Sequence, residues 1–154
     1  MIKQGPEIRW FKMNSNETNQ LISDWMSLAN IQIRVEHELE SILQETHQLT
    51  LKEFYVLLFL SQAPNKKLKL QQLQNMVGLS QSAMSRLVSR FEAKGCGTLR
   101  RHVCIEDRRA IFTALTESGE KKLEEAIKTV HQTLRHSFAD NEIQAELKRL
   151  LSQF

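Results

Sequence analysis

The sequence predicts a mainly α fold with one small β-hairpin, and three observations lead there. Apolar residues recur at three- and four-residue intervals over most of the 154 residues. Gly78, free to adopt the left-handed backbone that ends a helix, falls between two short stretches of that pattern. After Gly95 the period changes to a loose alternation at 98–104 and again at 109–115, with Ile105-Glu106-Asp107-Arg108 between the two runs.

Each element follows in turn. Residues 1–15 hold Gly5-Pro6 and the aromatic pair Trp10-Phe11 and are expected to form an extended, docked arm. From 18 to 46 a helix is expected, with Leu21, Trp25, Leu28, Val35, Leu39 and Ile42 in one stripe and Ile22, Met26, Ala29 and Ile33 in a second beside it. Two adjacent stripes imply burial against the helix's own domain and against a second copy of the chain; a central helix in a monomeric core is the other reading. Thr50-Leu51-Lys52-Glu53 is a capping box that starts a helix with Phe54, Leu57 and Leu58 inward, stopped by Ala63-Pro64-Asn65. Leu70, Leu73, Met76 and Val77 make the next helix, which Gly78 ends. Ser80 caps its successor, whose inward face is Ala83, Met84, Leu87, Val88 and Phe91. Gln81, Ser82, Ser85, Arg86, Ser89 and Arg90 are then left outward, a polar and basic set suited to base edges and phosphates. The hairpin follows, then a helix capped by Thr116 with Leu123, Ile127, Val130 and Leu134 in line, and a last helix from about 141.

Charge is distributed unevenly. The chain carries +3 overall, yet residues 64–110 hold ten lysines and arginines against Glu92, Glu106 and Asp107, a local +7 beside −4 elsewhere. A basic module in a mildly acidic chain is the footprint of a polyanion site, and double-stranded DNA fits it better than a membrane surface does. No apolar run nears the ~20 residues of a membrane span and the N-terminus lacks a signal-peptide core, so a cytoplasmic protein is expected. Cys96 and Cys104 provide no disulfide framework, and the five histidines show no metal-ligand spacing. No Ser/His/Asp order, Gly-rich phosphate loop or carboxylate pair suggests catalysis, so neither an enzyme nor a cofactor is expected.

Taken together, the segments from 49 to 119 resemble the MarR family of winged helix-turn-helix transcription regulators. The shared motifs are Leu49-Thr50, Gly78-Leu79-Ser80, Ser82 with Ser85-Arg86, Glu92-Ala93-Lys94-Gly95, Asp107-Arg108-Arg109-Ala110 and Leu115-Thr116-Glu117-Ser118-Gly119. Departures are Gln74 in place of a small alanine, Lys69 in place of a Ser/Thr cap, Ala83 in place of a common threonine, and two extra residues within Cys96-Gly97-Thr98. The resemblance implies one MarR-like domain over 1–154, a DNA-binding lobe at 49–116 and dimerisation helices at 16–47 and 117–154. It further implies a homodimer on a pseudo-palindromic site with half-sites roughly 34–36 Å apart. Arg86 is then the first base contact, with Gln81, Ser82 and Ser85 beside it and Ser89 on the same face. Arg90, Lys94 and Arg100 become phosphate clamps, and Arg108 the minor-groove finger at the wing tip. Asp107, an ordinary turn acid otherwise, would hold the guanidinium of Arg108 or Arg109.

Some relatives sense oxidants by cysteine, which makes Cys96 and Cys104 redox candidates; small buried hydrophobes are the alternative role. The eight steps of mostly extended chain from one to the other span about 26 Å, too far for a disulfide without a fold-back at Gly97. Family members also bind small effectors between the dimerisation helices and the DNA-binding lobe. Trp25, Met26, Tyr55 and Phe59 either line such a pocket or belong to the core. The function implied is a ligand- or stress-responsive DNA-binding regulator, more often a repressor. The alternative is a dimeric winged-helix protein-interaction module without specific DNA binding.

Overall fold

The computed structural model describes residues 15–93, 97–103 and 110–153. The 1–14 part of the N-terminal arm, Lys94, Cys96, Cys104, Asp107, Arg108 and Arg109 lie outside the described residues. Six α-helices and a three-stranded sheet make up the described chain: α1 Ser15–His47, α2 Leu51–Gln62, β1 Lys67–Lys69, α3 Leu70–Val77, α4 Gln81–Ala93, β2 Leu99–Val103, β3 Ile111–Leu115, α5 Glu117–Ala139 and α6 Asn141–Leu151. Two compact units divide it, one of residues 36–136 and one of the residues up to 35 with those from 137 on. The mainly α class with a small winged sheet is therefore as expected.

Local chemistry sets the boundaries in the 36–136 unit. Helix α1 ends at Gln48, whose φ of 54° turns the chain so that the Leu49 amide returns to the Leu43 carbonyl at 3.2 Å. The Thr50 capping box forms: Glu53 N–H donates to Thr50 Oγ1 at 3.2 Å, and Thr50 N–H to Glu53 Oε2 at 2.8 Å. Glu40 adds a third cap by accepting from Leu51 N–H at 2.6 Å. Helix α2 is buried on more than the one side expected, since Val56, Leu57 and Leu60 are all inaccessible while Leu58 is half-buried. Leu43, Leu49, Leu73, Met84, Val88 and Leu99 complete that core.

The sheet has one strand more than the sequence suggests. The hairpin β2–β3 pairs Leu99 with Leu115 and Val103 with Ile111, and β1 joins the other edge of β3, giving the order β1-β3-β2. Strand β1 is three residues long, with only Leu68 apolar, too short to show an alternation. Thr116 ties the sheet to α5. Its Oγ1 accepts from Gly119 N–H at 3.1 Å and lies 2.6 Å from the Gly97 carbonyl, to which it donates. Gly119 is required by space: a Cβ there would stand 2.4 Å from the Thr98 carbonyl oxygen.

In the other unit α6 starts at Asp140, which accepts from Glu142 and Ile143 N–H at 2.9 and 3.0 Å. Ile143 and Leu150 are buried, but Leu21, Ile22, Trp25, Met26 and Leu28 of α1 stay exposed, as does Leu151 of α6. Asp24 is nearly inaccessible and receives Arg149 Nη1 at 2.7 Å and Gln20 Nε2 at 2.9 Å. Arg149 also holds Glu146, which keeps the Glu146 carboxyl down at about 2 against an ordinary 4.5, with a hydrogen bond to Ser27 adding to the effect.

Candidate nucleic-acid interface

The turn at Gly78 is built as the sequence suggests. Gly78 adopts φ 70° and ψ 39°, and the Gly78 and Leu79 amides both return to the Gln74 carbonyl, at 3.0 and 3.2 Å. Lys52 of α2 donates to the Val77 carbonyl at 3.0 Å, so a cation closes the C-terminal end of α3. Lys69 at the start of α3 forms only half a capping box: Gln72 Oε1 accepts from Lys69 N–H at 3.0 Å, and an ammonium has no acceptor to return the bond. Met76, expected inward, is half-exposed, because Leu73 and Val77 one turn apart already fill the contact.

Helix α4 begins at the Ser80 cap, whose Oγ accepts from Ala83 N–H at 3.2 Å. Met84, Leu87, Val88 and Phe91 are buried and Ala83 is half-buried. Gln81, Ser82, Arg86, Ser89 and Arg90 are exposed and Ser85 is half-buried, so the outward set is where the periodicity puts it. Arg86 Nε donates to the Ser82 carbonyl at 3.3 Å, laying the side chain along its own helix.

Two ion pairs fix this helix. Arg90 pairs with Glu53, the buried carboxylate that also caps α2, so α4 is tied to α2. From the wing side Arg101 donates through Nη2 to the Ser85 carbonyl at 3.0 Å and to Ser89 Oγ. Its Nε lies 3.1 Å from Glu92 Oε2, and its backbone N–H donates to Glu92 Oε1 at 2.8 Å. Ser89 and Arg90 are thus engaged within the fold, while Gln81, Ser82 and Arg86 present their side chains outward. Arg100 is exposed on β2, opposite Ala114.

Arg101, Glu92 and Glu53 act as positioning residues for α4, a role the linear pattern gave to none of them, although Glu53 stood out as half of a capping box and Glu92 as part of a shared motif. A signal existed for one of them: in the pair Arg100-Arg101 strand alternation sends the two side chains to opposite faces, so one must turn back toward the fold. The four candidate effector residues divide between the units. Trp25 lines an apolar groove of about 430 Å³ with Leu21, Leu28, Leu147, Leu150 and Leu151, and Met26 is exposed. Tyr55 and Phe59 are half-buried on α2 with ring centroids 6.3 Å apart, and burial together with Glu36 pushes the Tyr55 hydroxyl up. Among the described residues no cluster of three metal-ligating side chains occurs. No described helix is long and apolar enough to cross a membrane.

Known proteins match this arrangement. The model of the MarR family matches residues 47–110. AbsC, a MarR family transcriptional regulator from Streptomyces coelicolor, is 25% identical, with a TM-score of 0.69 over 90% of this chain and 91% of its own. The transcriptional regulator BldR from Sulfolobus solfataricus is also 25% identical, with a TM-score of 0.69 over 92% of this chain and 100% of its own. Sco3205, a MarR family transcriptional regulator from Streptomyces coelicolor solved in complex with DNA, shares the fold at 23% identity, with a TM-score of 0.71 over 97% of this chain and 89% of its own.

Proposed function

The chain belongs to the MarR family, and on that premise we propose that it is a sequence-specific DNA-binding transcription regulator, a cytoplasmic, non-enzymatic repressor acting as a homodimer on a pseudo-palindromic site. The observation that carries this reading is the outward face of α4. Gln81, Ser82 and Arg86 are exposed on a helix that Glu53 and Arg101 hold from two sides. Rigid support of that kind is what base readout needs, since a contact misplaced by an ångström loses its bidentate geometry. Ser85 stands next to the reading side chains, Ser89 and Arg90 set the helix, and Arg100 meets phosphate. Lys94 and the Asp107-Arg108-Arg109 tip are assigned to phosphate and the minor groove by family resemblance alone.

Dimerisation through the helices at 16–47 and 117–154 is supported by the apolar side chains that α1 and α6 leave in water. The lobe at 49–116 does the reading, and the similarly folded Sco3205, solved in complex with DNA, supports DNA as the partner. Release by a small-molecule or oxidative signal completes the proposal, with the Trp25 groove as the observation behind an effector.

Selection of duplexes from a random library, followed by binding across a salt series, tests the function. The expected result is an inverted repeat with half-sites about one helical turn apart and an affinity that falls steeply with salt. Recovery of no common sequence, together with weak and salt-insensitive binding, contradicts it.

A further inference from the structure

Lys67 and Lys69 stand two apart on β1 and so share one face of the strand. Both ammonium groups lie over the ring of Phe112 on the neighbouring strand, 5.6 and 5.9 Å from its centroid. Among the described residues neither has a carboxylate partner, whereas Lys66 beside them is paired with Glu120. Next to them opens a polar groove of about 400 Å³, lined by Lys69, Gln71, Gln74 and Gln81 with Ala110 and Ile111 as one wall. Gln81 is the first residue of α4, so the groove is continuous with the outward face of that helix.

The chemistry of this lining is one-sided. The ring attracts both cations but leaves their charge in place, and two like charges gathered over one ring favour an anion beside them. Every glutamine in the groove brings two amide donors beside its own carbonyl acceptor, and among the described lining residues no acid competes for those donors. A phosphate oxygen is the natural complement. Gln74, the residue that stands where the family carries a small alanine, is half-buried and turns what would be an apolar helix crossing into part of this donor set.

We propose that this groove is a second DNA-contact site, in which Lys69 and Gln71 hold one backbone phosphate and Lys67 neutralises its neighbour, so that the start of α4 is clamped in register on the duplex. The assignment rests on the DNA-reading function above and adds to it a backbone clamp at the start of α4, a turn before the residues that Arg101 holds. Phosphate contacts position while base contacts specify, so this site acts on every sequence alike.

Fluorescence anisotropy with the selected duplex, over a salt series, tests it with Lys67→Ala, Lys69→Ala, Lys69→Arg and the α5 control Lys128→Ala. The expected result is that each alanine variant of β1 lowers the log–log salt slope by about one and weakens all sequences by a similar factor. Lys69→Arg restores the slope and Lys128→Ala leaves it unchanged. Inorganic phosphate at constant ionic strength separates a free-anion site from a DNA site. If phosphate displaces DNA from the wild type but not from Lys69→Ala, while the two salt slopes agree, the groove holds free anion and the proposal fails. Slopes equal to wild type in both alanine variants, with the wild type still binding steeply, overturn this site alone. A wild type that binds no duplex overturns the DNA reading with it.

Discussion

The 36–136 unit and the helical unit formed by the residues on either side of it treat their apolar side chains in opposite ways. The first closes its own core: Leu43, Val56, Leu60, Leu73, Met84 and Val88 are all inaccessible. The second leaves Leu21, Trp25, Met26 and Leu151 in water, and spends some of its scarce buried volume on the charged pair Asp24–Arg149. The first unit closes a core beneath the helix proposed to read DNA, and the second leaves apolar surface that the proposed second copy would cover. The difference separates stability, which should respond to the first unit, from assembly, which should respond to the second.

The largest expected effect tests that separation directly. Leu60→Ala, at a fully buried site, should cost about 2–5 kcal/mol in chemical denaturation. Trp25→Ala, 65% exposed, should cost under about 0.5 kcal/mol in protein dilute enough to be monomeric. In the dimer the same change should weaken association by roughly 2 kcal/mol or more, visible by analytical ultracentrifugation. A Trp25→Ala chain that is as unstable as Leu60→Ala, with unchanged association, breaks the comparison.

Next in size is Arg101→Ala. Removing a charged donor to Ser85 and Ser89 and the partner of Glu92 should destabilise the lobe by about 1.5–3 kcal/mol. DNA affinity should fall on all sequences by a common factor if Arg101, engaged with Ser85, Ser89 and Glu92, acts by aiming α4. A changed base preference, measured by competition among single-base variants of the site, would make Arg101 a reader instead.

Thr50→Ala comes third, at about 1 kcal/mol by thermal melting, because one half of the α2 capping box is lost. The smallest effect belongs to the incomplete unit. The Arg149 and Ser27 hydrogen bonds hold the Glu146 carboxyl at about 2 when folded, below its ordinary 4.5. A depressed folded value means that its contribution is whole above pH 4.5 and is lost as pH falls toward 2. Glu146→Gln should flatten the stability profile across that acid window, by a small loss at neutral pH and none below about pH 2, as followed by circular dichroism.

What was legible in the sequence follows the same division between local and distant causes. Thr50-x-x-Glu53, Gly78 and Thr116-x-x-Gly119 act within a few residues, and all three form as their spacing implies. The outward face of α4 was legible too, since helical period alone decides it. Pairings across the fold were not: Glu53 with Arg90, Arg101 with Ser89 and Glu92, and β1 with β3 join residues that no local pattern connects. Stripes on α1 marked apolar residues without saying which bury within the chain. Val35 and Leu39 do, and Leu21 and Trp25 do not.

The most direct test of α4 as the reading helix is the sequence preference of Arg86→Ala, measured by binding to every single-base variant of the selected site. The predicted result is a loss of about 1–3 kcal/mol of discrimination at one position in each half-site, with preferences elsewhere retained. A variant that keeps the full wild-type preference at every position would show that the bases are read by another element.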